Sequence, residues 1–99
     1  MIKDSYSYTE EEKEKVIKNY FKKEGEIEKL TTMPSKEKRK VIVLEHIMQN
    51  FEMNEKYTHQ QVNQKLEGIY SDYSTIRRHL IDYGFMDRTR DCQLYWVKE

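Results

Sequence analysis

The stretch from Tyr73 to Val97 constrains the fold most. Tyr73, Ile76, Leu80 and Tyr83 recur at intervals of three, four and three, the spacing of one buried face of an α-helix. Gly84 follows where a helix turns left-handed and stops. Two β-prone runs come next, Phe85 to Arg88 and Gln93 to Val97, on either side of a polar turn through Thr89, Arg90, Asp91 and Cys92. That pattern predicts a β-hairpin. Trp96 shares parity with Leu94, so the alternation predicts that Trp96 closes the core while Tyr95 faces the other way.

Upstream apolar stripes must cover this unit. A capping box at Thr9 and Glu12 predicts a first helix, with Val16, Ile17, Tyr20 and Phe21 as its stripe and Gly25 as its terminator. Glu26 to Leu30 reads as a short strand. Ser35, after Pro34, is the expected N-cap of a second helix. Val41, Leu44, Ile47, Met48 and Phe51 give that helix a wide apolar face, which makes it the expected core helix. Lys56 to Thr58 is short and β-prone. A second capping box, Thr58 with Gln61, opens a helix burying Val62, Leu66 and Ile69, which Gly68 ends or bends. After a tight turn, Asp72 or Ser71 caps the last helix.

Length and composition bound what this chain does. Its 99 residues suit one compact unit without a large enclosed active site. Only three glycines and one proline occur, which favours helices. The expectation is an α+β, mainly helical chain, with a helical arm and possible short strand over 1–30 and the main domain over 31–99. Lysine plus arginine equals aspartate plus glutamate, 18 of each, so there is no overall basic charge of the kind that marks many nucleic-acid binders. Cys92, the only cysteine, cannot form an internal disulfide, and no apolar run approaches a membrane span. With no signal-peptide stretch at the N-terminus, the expected setting is the cytoplasm.

Three helices followed by a hairpin, with a tight turn before the last helix, resemble a winged helix-turn-helix domain, here with an extra N-terminal helix. The likeness is sharpest over 57–97. "YTHQQVNQKL" is similar to a supporting helix, "DYSTIRRHLIDYGF" to a recognition helix and "MDRTRDCQLYWV" to a wing. Taken with "MPSKEKRKVIVLEHI" and "YW", these motifs resemble the bacterial domain-of-unknown-function family 2087 over roughly 27–97. Members of that family occur alone or attached to helix-turn-helix transcriptional regulators, and their own activity is uncharacterised. The resemblance implies a regulatory setting.

The residue pattern supplies a candidate interface. Stepping 100° per residue from Ile76, Arg78 projects almost opposite the buried stripe, Ser74 and Thr75 lie on either side of it, and Arg77 sits on a shoulder. Arginine suits guanine because its planar fork reaches O6 and N7 together. Ser74 and Thr75 suit base edges or phosphates, and Arg88 and Arg90 flank the wing turn. Lys36, Lys38, Arg39 and Lys40 form a basic first turn of the second helix that suits phosphates. The expected partner is double-stranded DNA, and the expected function is a DNA-binding transcriptional regulator. The alternative is a non-DNA-binding interaction or regulatory module of such a regulator, with Arg77 and Arg78 simply paired to Asp82 and other helix acids. On the side of that alternative, Asp87 and Asp91 sit beside the wing arginines and dilute their field, and residues 71–99 carry five basic and five acidic side chains, hence no net charge. Residues 9–21 supply either a homodimer contact or packing within the monomer, and a partner regulator is the other expected protein partner.

No enzyme is expected. His46, His59 and His79 are dispersed and form no metal-ligand spacing with Cys92, and there is no glycine-rich phosphate loop or serine nucleophile motif. No cofactor is implied. Cys92 in a turn reads as an incidental thiol, with Arg90 the only nearby group that would activate it.

Overall fold

The computed structural model describes residues 2–98, so Met1 and Glu99, the ends of the two expected segments, lie outside the described residues. Among them are four α-helices and two small antiparallel sheets, with about half the chain helical. In chain order these are α1 (Glu10–Tyr20), β1 (Phe21–Glu24), β2 (Ile27–Leu30), α2 (Glu37–Ile47), β3 (Lys56–Thr58), α3 (His59–Glu67), α4 (Tyr73–Asp82), β4 (Met86–Arg88) and β5 (Leu94–Val97). Short 3₁₀ turns occupy Ile2–Ser5 and Met48–Asn50.

Both capping boxes form. The Thr9 hydroxyl accepts the Glu12 N–H at 3.1 Å, and the Thr58 hydroxyl accepts the Gln61 N–H at 3.1 Å. The glutamate and glutamine side chains accept the cap N–H groups in return. Helix α1 ends earlier than its stripe suggests. Phe21 is extended (φ −112°, ψ 144°) and begins β1, paired with Leu30 of β2. The cause is tertiary. The Thr31 N–H and hydroxyl both donate to the Tyr20 carbonyl, at 2.8 and 3.0 Å, and so satisfy a helix-end acceptor from outside the helix. Gly25 is therefore a hairpin-turn residue (φ +66°) and not a helix terminator.

Helix α2 begins one residue later than expected. Its N-cap is Lys36, which makes no side-chain cap hydrogen bond, and Ser35 lies outside. Burial of Pro34 fixes the approach of the chain here in place of a hydroxyl cap. Val41, Ile42, Val43 and Leu44 are all buried, four consecutive positions. A helix buried all round must be covered on several sides, and α2 is, packing against α1 and α4. Val16 of α1 and Leu30 of β2 belong to the same apolar cluster as Leu66, Ile76 and Leu80.

Helix α4 ends as its sequence demands. Gly84 adopts φ +87°, its N–H donates to Ile81 at 3.1 Å, and the Phe85 N–H donates back to Leu80 at 2.9 Å. This double cap satisfies two carbonyls and turns the chain into β4. The hairpin is part of a larger sheet. Strand β3 joins it in the order β3-β5-β4, with Tyr57 opposite Tyr95 and Arg88 opposite Tyr95 on the other side. The register corrects the expected parity. Tyr95 shares its face with Met86 and is buried, whereas Trp96 shares the outer face with Lys56 and Asp87 and is only partly covered. Its ring carries the Lys56 ammonium 5.7 Å from the centroid.

Candidate nucleic-acid interface

Helix α4 and the β4–β5 hairpin meet at an angle set by Gly84, and a cleft of about 540 Å³ opens between them. Ser74, Thr75, Arg77, Arg78 and Arg88 all line it, together with Cys92, Tyr95 and Asp82. Five of the residues singled out from sequence thus converge on one surface. The lining holds three guanidinium groups and a single carboxylate. In an otherwise neutral chain this cleft is locally cationic.

Each arginine is held differently. Arg78 is 83% exposed, and its Nε lies 3.9 Å from the Asp82 carboxylate one turn on. Such an exposed pair contributes roughly 0.3–0.5 kcal/mol and leaves the side chain free to reorient. Arg77 is partly buried, and its Nη1 donates to the Asn63 side-chain oxygen on α3. Arg88 donates from Nη1 to the Thr89 carbonyl at 3.1 Å. The hydroxyls of Ser74 and Thr75 donate to the Asp72 carboxylate, at 3.4 and 2.8 Å. Asp72 is the N-cap residue of α4, yet its side chain makes no bond to the helix backbone and serves these hydroxyls instead.

The turn of the hairpin is organised by Thr89. Its hydroxyl donates to Asp91 at 2.6 Å and accepts the N–H groups of Gln93 and Leu94, each at 3.2 Å. The Thr89 hydroxyl, and then the Gln93 N–H, hold the Asp91 carboxyl below its usual range. Cys92 sits in the left-handed region at φ +60°, which carries its side chain into the lining of the cleft. Burial pushes the Tyr95 phenol up, while the positive charges of Arg77 and Arg88 oppose the rise. Arg88 stands opposite Tyr95 in the sheet register, and Arg77 lines the same cleft.

The remaining expected contacts lie elsewhere. Arg90 lines a shallow hollow on the hairpin tip with Thr89, Asp91, Gln93 and Leu94. Lys36, Lys38 and Arg39 line a separate cleft between α1 and α2, where Lys38 forms a 2.6 Å ion pair with Glu12. The two clefts share no lining residue. Lys40 lines neither cleft, and its charge acts on His79 of α4. Two contributors escaped the sequence reading. Tyr95 was assigned the wrong face, and nothing in the order of residues links Asn63 to an arginine 14 positions away. Among the described residues, no group of three or more His, Cys, Asp or Glu side chains is placed to hold a metal ion, and no helix is long and apolar enough to cross a membrane.

Fold and cleft together define a small α+β protein with a cationic groove between its last helix and its C-terminal sheet. Residues 29–97 match domain-of-unknown-function family 2087, described as uncharacterized proteins conserved in bacteria. The chain belongs to that family. No curated protein and no solved structure matches it.

Proposed function

We propose that this chain is a DNA-binding transcriptional regulator of winged-helix type, with α4 in the major groove of a duplex and the β4–β5 hairpin as the wing on the backbone. One observation carries the reading. Three arginines and two hydroxyl side chains line one open cleft, with Asp82 in the lining and Asp72 behind the two hydroxyls, on a chain with no net charge. A locally cationic surface of this kind favours a polyanionic partner.

Roles follow from exposure. Arg78, projecting from α4, reads base edges, with guanine as its preferred partner. Arg88, and Arg90 at the hairpin tip, contact phosphates. The test is fluorescence anisotropy against random and selected duplexes at two salt concentrations. Arg78→Ala is expected to relax preference at one or two base positions. Arg90→Ala is expected to weaken binding to all sequences and to lower the salt slope by about one. Negligible affinity at low salt for wild type and variants alike would end the reading.

A second reading, an interaction module that binds another protein of a regulator, is favoured by Asp72. Its carboxylate occupies both hydroxyls of the first turn of α4 and puts a negative charge where a duplex would approach. That reading predicts no duplex affinity, with Arg77 and Arg78 affecting only a protein partner.

A further inference from the structure

We propose that the cleft holds one phosphate group between Arg77 and Arg88, and that Asn63 on α3 is the positioning residue that aims Arg77 at it. The inference rests on the reading of this cleft as the duplex-contacting surface, and it divides the work among its arginines.

The three guanidinium groups of the cleft are anchored in different ways. Arg78 meets a carboxylate, Asp82, which cancels part of its charge. Arg77 and Arg88 are instead held by neutral oxygens, the Asn63 side-chain carbonyl and the Thr89 backbone carbonyl. A neutral acceptor fixes the plane of a guanidinium while leaving its positive charge uncompensated. Each guanidinium has five N–H donors, so one bond to an anchor leaves several for a ligand. Planar, oriented and uncompensated donors are what a phosphate oxygen recognises best.

The two groups also share one surface. Arg88 stands directly opposite Tyr95 in the sheet register, and Arg77 reaches the same cleft from α4. All three line the cleft. The two anchors come from separate elements, α3 and the hairpin turn, so both guanidinium groups are oriented before any ligand arrives. Preorganisation of this kind removes an ordering cost that flexible surface lysines would incur on binding. The ligand chemistry is an oxygen anion of phosphate type, supplied by a duplex backbone or by a free phosphate.

Two titrations of the full chain test this. In the first, inorganic phosphate is added at constant ionic strength while amide and arginine Nε resonances are followed by NMR. Shifts are expected to centre on Asn63, Arg77, Arg88 and Tyr95. Asn63→Ala preserves every charge, yet is expected to weaken phosphate binding on the order of tenfold, the loss of one well-aimed charge-assisted bond. Arg77→Lys, which keeps the charge but loses the fork, is expected to weaken it similarly. In the second, a random-sequence duplex replaces phosphate. Arg77→Ala is expected to reduce the salt slope by about one, and Asn63→Ala to weaken all sequences equally. Circular dichroism melts establish that each variant is folded. Site-specific phosphate shifts without duplex affinity would support the phosphate site, identify a free phosphate as its source and end the duplex reading. Duplex affinity with phosphate shifts scattered over lysines, unchanged in Asn63→Ala and Arg77→Lys, would overturn the inference and leave the duplex reading standing. Shifts of these residues by an acidic peptide but not by phosphate would also overturn it.

Discussion

Tyr95 and Trp96 are adjacent aromatic residues with opposite surroundings, and the smaller of the two occupies the core. Burial of Met86 and pairing of Tyr95 with Tyr57 set which parity of β5 faces the helices. Alternation was legible in the sequence. Its phase was not, because Leu94 and Trp96 together look more apolar than Tyr95 and Val97. What decides is a cross-strand register made with β3, residues nearly forty positions earlier. Truncation should separate the pair. Tyr95→Ala is expected to cost about 3–5 kcal/mol, the range for large aromatic side chains in a core. Trp96→Ala loses partial burial and a Lys56 cation–π contact of about 0.5–1 kcal/mol. Urea denaturation of both variants checks this, and a larger loss at Trp96 would mean that the sheet faces the other way. Leu80, fully buried beneath the double cap of α4, is expected to lose about 2–5 kcal/mol as Leu80→Ala.

Helix α4 was the element most legible in advance, because its stripe and its glycine are consecutive local signals. Gly84→Ala is expected to destabilise by about 1–2 kcal/mol, since φ +87° brings a Cβ against the following carbonyl. The strand β1 was not legible, because Phe21 continues the α1 stripe and only the capture of the Tyr20 carbonyl by Thr31 ends the helix. The junction of α4 with α2 also depends on distant residues. The Tyr83 hydroxyl donates to Glu37 at 2.5 Å across 46 positions, and the His79 ring packs edge-on to Tyr83 with centroids 5.6 Å apart. Burial chiefly, and Lys40 next, hold the His79 imidazole below its usual 6.5, against the pull of Asp82 and Glu37. The unfolded chain therefore takes up a proton at higher pH than the folded one. Stability from this group is complete above the unfolded value and falls as pH drops through it toward the folded value. Urea midpoints measured from about pH 7.5 to 5.5 should decline in the wild type. His79→Gln should flatten that part of the profile; an unchanged profile would remove His79 as its source.

At the scale of the whole molecule, charge is neutral in sum and uneven in place. The composition gives the sum, but only folding decides which cations share a surface. Arg77, Arg78 and Arg88 meet in the α4–hairpin cleft, while Lys36, Lys38 and Arg39 meet in another, bounded by α1. Lys38 is already committed to Glu12, and that bond, with the Thr9 N–H beside it, holds the Glu12 carboxyl below its usual range. The α1–α2 cleft thus presents less free charge than its composition suggests. If duplex DNA engages the α4–hairpin surface alone, two phosphates are neutralised, one held by Arg77 and Arg88 and one by Arg90 at the hairpin tip. At about 0.9 counterion per phosphate, log affinity should fall with log salt at a slope of roughly −2. Lys36→Ala combined with Arg39→Ala should leave that slope unchanged, because neither residue borders the engaged surface. Arg90→Ala should bring it to roughly −1. Anisotropy titrations across a series of salt concentrations measure all three. A wild-type slope of roughly −4 that the double variant reduces would mean that one duplex contacts both clefts, and the α4–hairpin surface would no longer account for binding by itself.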